Sequence, residues 1–474
     1  MMQLKPQDLN FSRTLFAHLA KLHHTNDAGV NRLGYSKETQ EAILYLCRLA
    51  QQNFGALSFR DLAGTCYIVL EPKDHTDRDM AALAMGSHID AVPQGGQYDG
   101  MAGIIAGLQA MEIAIRSNLP IRAPIVTIMF PNEESSRFQF AVSAKASTGR
   151  LHPNALYTAD LLGSGETLAS AMKTHHDIDI DGLGNALSAA QSLMPDEEIA
   201  SFIEPHIEQS DVLASMGQDI GIVTNIKGTQ RCGYVRFVGE ADHSGACPQA
   251  ERRDAVLGGA HFMVALESAL EYRRKTSPDL TFSFGDTRVQ GGGSMNIISP
   301  NNEILFDIRC SDRQTLTNAM ENVRKIGTFI ARQRNLVFHI EENSVILQPP
   351  VDMDKNLIEG LLKTTDEIRL KRMTLPSGPG HDSKILQQSG RASGVLFIPH
   401  TGRSHKKAER MTIKPNDDPF SINGGYASAV RVLLKYMEGK VIQPKRCSLS
   451  QPSRINHSPF VQRLIARGAV PVFN

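Results

Sequence analysis

Four short stretches of this chain carry the side-chain types that bind divalent metal ions. They are Gly86-Ser87-His88-Ile89-Asp90, Gly95-Gly96-Gln97-Tyr98-Asp99-Gly100, Phe130-Pro131-Asn132-Glu133-Glu134 and Glu204-Pro205-His206-Ile207-Glu208-Gln209. A hydrolytic pair of divalent ions needs imidazole and carboxylate ligands, with one carboxylate bridging. It also needs a free carboxylate to take a proton from the attacking water. Adjacent Glu133 and Glu134 can divide these tasks, one binding metal and one acting as base. Asp90 is spaced to hold the His88 ring by a hydrogen bond. Each stretch alone has an ordinary reading. A strand-end His is usually a satisfied polar residue, paired Glu residues usually mark a solvated face, and Gly-Gly with Asp-Gly is turn chemistry. The four together, in order along one chain, point to a site.

The elements around them fit that site. Residues 38–52 place Ala42, Ile43, Leu46, Cys47 and Ala50 on one helical face. Residues 65–70 read as a β-rich run, 80–87 as a buried strand, 103–116 as a helix and 123–130 as a second buried strand. Strand, helix, strand in that order predicts an α/β layer with a mostly parallel sheet. His88 and Glu133-Glu134 then fall at carboxyl ends of strands, where ligands gather in open α/β sheets. From about 224 to 344 the pattern changes. Strands at 233–239, 280–289, 304–310 and 336–341 and helices at 253–272 and 313–332 give β-α-β-β-α-β, the order of ferredoxin-like domains. From about 357 the first pattern returns, with a helix, a strand at 394–398 and a helix at 422–437. The expected fold class is α/β: a discontinuous metal-binding catalytic domain over 1–223 and 345–440, with an inserted ferredoxin-like α+β domain over 224–344. Residues 441–474 are basic and polar and are expected to be a loosely attached extension.

Composition narrows the function. The 474 residues carry 50 Lys plus Arg and 50 Asp plus Glu, and this balance argues against a nucleic-acid or membrane-surface binder. At 41% hydrophobic and 21% charged residues the chain reads as globular, and at its length as two or three domains. No apolar run is long enough to span a bilayer, and residues 1–8 carry no signal-peptide core, so a cytoplasmic setting is expected. Cys47, Cys66, Cys232, Cys247, Cys310 and Cys447 never form C-x-x-C, which argues against a disulfide framework or a thiolate zinc site. Any metal must be held by His and carboxylates.

These motifs resemble those of the M20-type metallohydrolases, in the hydantoinase/carbamoylase branch that contains N-carbamoyl-L-amino acid hydrolases, β-ureidopropionases and allantoate amidohydrolases. The resemblance covers about residues 10–440. Gly-Ser-His-Ile-Asp-Ala-Val-Pro (86–93) is similar to G-S-H-x-D-[TS]-V-P, and 95–100 to the bridging-Asp loop. Glu133-Glu134-Ser135-Ser136-Arg137-Phe138 resembles E-E-G-S-R-F. His206-Ile207-Glu208-Gln209-Ser210 resembles H-I-E-Q-G, which separates this branch from ordinary M20 peptidases. Asp242-His243-Ser244-Gly245 with Arg252-Arg253-Asp254-Ala255 is similar to N-H-A-G…R-R-D-A. Asn296 and Arg309 keep the family's spacing, 377–382 resembles S-G-A-G-H-D, and Ser404-His405 with Glu409 resembles S-H-S-P-x-E.

The resemblance implies that His88 and His206 hold one metal, Glu134 and His405 hold the other, and Asp99 bridges. It implies Glu133 as general base and Asp90 as the group orienting His88. Gln209, Asn296, Arg309 and Gly378 would bind the substrate carboxylate and ureido group. His243 would reach across a homodimer, built through the inserted domain, to steady the oxyanion. Arg309 has the planar fork that suits a carboxylate. The cofactor would be two divalent ions, Zn²⁺ or Mn²⁺, with Co²⁺ and Ni²⁺ also compatible. The substrate would be an N-carbamoyl (ureido) amino acid, with allantoate as the chief alternative, an M20 aminoacylase or dipeptidase next, and a non-catalytic binder of small carboxylates as the reading from another class. His381 receives no chemical role. Residues 399–405 are one residue shorter than the family's loop, and Lys406-Lys407 replaces S-P. His400 is therefore a rival ligand to His405. Ala91, Ser210 and Cys247 are milder departures.

Overall fold

A computed structural model describes residues 4–22, 29–231, 234–291, 294–342, 345–402, 404–406, 408–412, 414, 416–447 and 457–473. Cys232 and Lys407, named above, and Gly233 and Arg403, within ranges read above, lie outside the described residues. The chain divides into two compact units: Met1–Thr224, Met353–Leu375 and His381–Asn474 form the first, and Asn225–Asp352 with Pro376–Gly380 the second. The second unit is thus longer than the 224–344 expected, and it takes in a short later segment.

The first unit holds β1 (Leu57–Arg60), β2 (Cys66–Leu70), β3 (Ala82–His88), β4 (Ile125–Phe130), β5 (Ile199–Ile207) and β6 (Ile220–Ile226). The second holds β7 (Gly228–Arg231), β8 (Val235–Val238), β9 (Asp242–His243), β10 (Thr281–Gln290), β11 (Ile297–Ile298), β12 (Asn301–Cys310), β13 (Val337–Ile340), β14 (Ile346–Gln348) and β15 (Val351–Asp352). The chain then supplies β16 (Arg372–Ser377), β17 (Ser393–Ile398) and β18 (Val470–Pro471).

In the first unit the strands run in the order β6-β17-β5-β3-β4-β2-β1-β18, with β16 also on β6. The central four, β17, β5, β3 and β4, are mutually parallel, and the flanks are antiparallel. Central parallel strands are covered on both faces, so β3 and β4 are buried at every residue and read as unbroken apolar runs. Alternation still divides their side chains. Leu83, Met85, Ile125 and Met129 join one core with the helix Met101–Arg116. Ala82, Ala84, Val126, Ile128 and Phe130 join another with Phe202, Phe460 and Leu464. A fully buried aliphatic or aromatic side chain contributes about 1.5–3 kcal/mol.

That second core corrects the expectation for the tail. The helix Pro459–Ala466 is capped by Ser458, buries Phe460, Val461 and Leu464, and leads into β18, which pairs antiparallel with β1. The basic, Pro-containing residues before it masked this short amphipathic segment. In the second unit β13, β8, β12 and β10 lie side by side and antiparallel, the order fourth-first-third-second of a ferredoxin-like sheet, against the helices Ala255–Arg274 and Arg313–Gln333. Strands β7 and β14 extend it beyond the predicted pattern. Among the described residues no helix is long and apolar enough to cross a membrane.

Candidate metal centre

Three neighbouring parallel strands end together. In the register of β3 and β4, His88 stands beside Phe130, so Glu133 and Glu134 leave the sheet next to it. On the other side of β3, β5 brings up His206 near its own end. Asp99 arrives from the loop that opens the helix Met101–Arg116. Gly100, at φ +63, makes that turn, and a Cβ there would stand 2.5 Å from the His88 ring. His405 comes from a loop after β17, closed by two backbone hydrogen bonds between Thr401 and Arg410, of 2.9 and 2.8 Å.

The five expected ligands converge. The Nδ1 atoms of His88 and His206 lie 3.0 and 2.8 Å from the carbonyls of Asp90 and Ile207, which fixes both rings and turns both Nε2 atoms inward. Those Nε2 atoms are 3.3 Å apart, and Asp99 Oδ1 is 3.3 Å from that of His206 and 3.9 Å from that of His88. Across the same carboxylate, His405 Nε2 lies 3.2 Å from Asp99 Oδ2 and 3.1 Å from Glu134 Oε1. Donor atoms ~2.0–2.2 Å from a tetrahedral zinc lie about 3.4 Å from one another. Two imidazoles and a carboxylate facing one volume can share a cation between them. The residues therefore fit one ion among His88, Asp99 and His206 and another among Asp99, Glu134 and His405.

The electrostatics agree. Burial works against charge on His88, yet the Asp90 hydrogen bond and the charges of Glu133, Asp90 and Asp99 carry its pKa well above the ordinary value. His405 is raised to about 10 by its hydrogen bonds to Asp99 and Glu134. Burial would lift Asp99, but His405 and the other two imidazoles hold it far below the usual carboxylate range. Glu133 moves the other way: burial, opposed by His88 and reinforced by Glu134, Asp382 and Asp90, raises it well above an ordinary glutamate. A carboxyl group with a raised pKa beside an ion-binding cluster suits a proton acceptor.

Asp90 does more than orient His88. Its carboxylate lies 3.3 Å from His88 Nδ1 and also accepts the backbone N–H groups of Glu133 and Glu134, at 3.0 and 3.1 Å. One residue thus sets a ligand, the candidate base and a second ligand. Gln209, at φ +63, donates Nε2 to both Asp99 oxygens and to Ser404, while its Oε1 is buried without a partner among the described residues. His400 is buried, with Nδ1 3.2 Å from the Ser210 carbonyl, and belongs to none of the clusters of potential ligands among the described residues, whereas His405 does. Lys406 is exposed.

Several residues here had no role from sequence. His381 packs edge-on against His206 at 4.6 Å, and burial, then His206, keeps its imidazole well below its ordinary pKa. Glu204, two residues before His206 on the same strand face, accepts from Ser87 Oγ and Ser383 N, each at 2.8 Å. The i, i+2 spacing in β5 was the available signal for Glu204.

The remaining expected site residues lie in the second unit. His243 pairs with Ile297 between β9 and β11, and Ser244 N donates to the Asn296 carbonyl, so His243 and Asn296 share one small ladder. Arg309 on β12 binds Asp307 through Nε and an amino nitrogen and donates to the Gly378 carbonyl at 3.0 Å.

The sequence pattern of peptidase family M20/M25/M40 matches residues 84–419, which span every residue of this centre. The chain belongs to that family. Within the M20 relatives, an N-carbamoyl-L-amino-acid amidohydrolase of Pseudomonas sp. (strain NS671) is 29% identical over 82% of this chain and 91% of its own length. An uncharacterised hydrolase of Haemophilus influenzae is 30% identical over 80% of this chain and 88% of its own. In fold, the M20 chain is similar to a hydantoinase/carbamoylase-family amidase from Burkholderia multivorans, with a TM-score of 0.77, 23% identity, and coverage of 93% of this chain and 99% of that one. This M20 chain is an amidohydrolase.

Proposed function

We propose that the chain hydrolyses the C–N bond of an N-carbamoyl amino acid at a pair of divalent ions, zinc or manganese. The observation that carries the reading is the placement of Asp99, whose Oδ1 faces His88 and His206 while its Oδ2 faces His405. His88, His206 and Asp99 would hold one ion, and Glu134, His405 and Asp99 the other. When bound, the ions supply Lewis acidity that polarises the ureido carbonyl and makes water a better proton donor.

The rest falls to the chain's own groups. Glu133 takes the proton of the attacking water and returns it to the departing nitrogen. Asp90 holds Glu133 and Glu134 by their backbone and His88 by its ring. Gln209, with its open Oε1, receives a ureido N–H. Arg309, Asn296 and Gly378 bind the carboxylate end of the substrate. His243 steadies the developing oxyanion in the other protomer of a homodimer. Exposed Val264 and Tyr272, at 63% and 74%, support the helix Ala255–Arg274 as part of that contact. Relatives named N-carbamoyl-L-amino-acid amidohydrolase, and the H-I-E-Q motif at 206–209, support the substrate class.

The test is ammonia release from N-carbamoyl-L-amino acids, N-carbamoyl-β-alanine and allantoate with added Mn²⁺ or Zn²⁺. Turnover of an N-carbamoyl amino acid well above the others is expected. Turnover of allantoate alone overturns the substrate, and no metal-dependent turnover of any of them overturns the reaction.

A further inference from the structure

The bridging carboxylate needs something to hold it, and the structure places that device on the same loop as His405. Glu409 is buried, and its Oε1 accepts two successive backbone N–H groups, Tyr98 at 2.8 Å and Asp99 at 3.1 Å. The loop 95–100 is shaped for it: a Cβ on Gly96 would fall 2.3 Å from the Glu409 Cδ and 2.4 Å from both its oxygens. Ser404 Oγ, from the same loop as Glu409, donates to Asp99 Oδ2 at 2.9 Å, and His405 lies on that oxygen too. Asp99 is therefore gripped at both ends, by Ser404 and His405 at the carboxylate and by Glu409 at the backbone.

We propose that Glu409 is a positioning residue that locks the bridging Asp99 and the His405 loop into one rigid element, so that the ion held through His405 finds its ligands already aimed. The inference rests on the metal-centre reading above. The physical reason is geometric. A loop carboxylate is free to turn about its backbone torsions, and two adjacent N–H groups held by one oxygen remove that freedom. His405 is half exposed and at φ +60, and its Nε2 meets the buried Asp99 and Glu134, so the Glu409 link ties its loop to that of Asp99.

The experiment is titration of ion-free full-length protein with Zn²⁺, and separately with Mn²⁺, against a competing chelator, with circular dichroism on every variant. Wild type is expected to bind two ions, and failure to do so overturns the metal-centre reading itself. In Glu409→Ala, binding of the ion that depends on His405 is expected to weaken about 10–100-fold, the usual effect of removing a group that supports a ligand, with the fold retained. Glu409→Gln keeps an acceptor oxygen for Tyr98 and Asp99 and is expected to recover most of that loss. Gly96→Ala fills the socket and is expected to reproduce the Glu409→Ala defect with the acid still present. Wild-type binding of both ions by Glu409→Ala overturns the positioning role while leaving the metal centre intact. If Glu409→Ala does not fold, the other two variants decide: Glu409→Gln as weak as Gly96→Ala overturns the proposal.

Discussion

The two halves of the candidate metal centre are built in different ways. His88 and His206 sit on or at the ends of β3 and β5, fully buried, each ring fixed through Nδ1 by a backbone carbonyl. Glu134 follows β4 in a loop, and His405 stands on a loop with its side chain 46% exposed. Asp99 belongs to both. The first half inherits its precision from the sheet, which cannot shift without disturbing the cores on both faces. The second must be assembled by contacts between loops 195 to 310 residues apart in the chain, through Ser404, Gln209 and Glu409. Strand ends preorganise ligands without further help, whereas loops do so only when other side chains tie them down.

The largest expected effect separates the two adjacent glutamates between the halves. Glu133→Gln keeps size and leaves the ligand set untouched, so it is expected to retain both ions and lose about 10²–10⁴-fold in turnover. Glu134→Gln weakens a charged ligand of the loop-built half and is expected to lower metal content together with rate. Metal analysis and initial rates on both variants decide. If Glu133→Gln sheds metal and Glu134→Gln keeps it, the division of labour is reversed.

Removal of a single imidazole probes the comparison directly. His405→Ala is expected to lose one ion and keep the other, because the sheet holds His88 and His206 while Asp99 keeps its hydrogen bonds to Ser404, Gln209 and Glu409. His206→Ala is expected to lose the strand-end ion. Loss of both ions from His405→Ala would show that the halves form only as a unit.

Protons compete with ions at these rings, with a sign that follows from the pKa values. His405 lies at about 10, so in ion-free protein it carries a proton at neutral pH, and His88 is shifted in the same direction. Ion binding must displace the His405 proton, and apparent affinity should rise with pH, up to about tenfold per unit for each proton displaced. For ion-free protein the linkage runs the other way. A folded pKa above the unfolded one gives stability that is fully present below about 6.5 and is lost as pH climbs through about 10. Melting temperature against pH, with and without Mn²⁺, checks both signs, and a profile unchanged by the ion contradicts the placement of these histidines.

How much of this could be read from the sequence follows the same division. His88, Glu133, Glu134 and His206 were legible because unbroken apolar runs mark central parallel strands and ligands gather at their carboxyl ends. The ferredoxin-like order was legible from its two long helices and four strands. The grip on Asp99 was not, because no local pattern links Glu409 or Ser404 to residue 99. The proximity of His243 and Asn296 was equally hidden, since it depends on a ladder only two residues long. The tail was misread because one short helix burying Phe460, Val461 and Leu464 follows a stretch whose composition resembles a linker.

The smallest expected effect concerns Ser404, and it measures how much of the loop-built half depends on a single contact. Its hydroxyl donates to Asp99 Oδ2 at 2.9 Å, an oxygen that also faces His405 and Gln209. A hydrogen bond contributes about 0.5–1.5 kcal/mol net, so Ser404→Ala should weaken the His405-dependent ion by roughly 2- to 12-fold and leave the strand-end ion unchanged. The carboxylate keeps other partners, so the deletion does not strand a buried charge, and that holds the effect to this range. Chelator competition on Ser404→Ala and on the wild type gives the answer. A loss as large as that of His405→Ala would mean that the hydroxyl, rather than the imidazole, sets the loop. A loss shared equally by both ions would mean that Asp99 moves as one body, and the two halves would then differ in how they are built but not in how they fail.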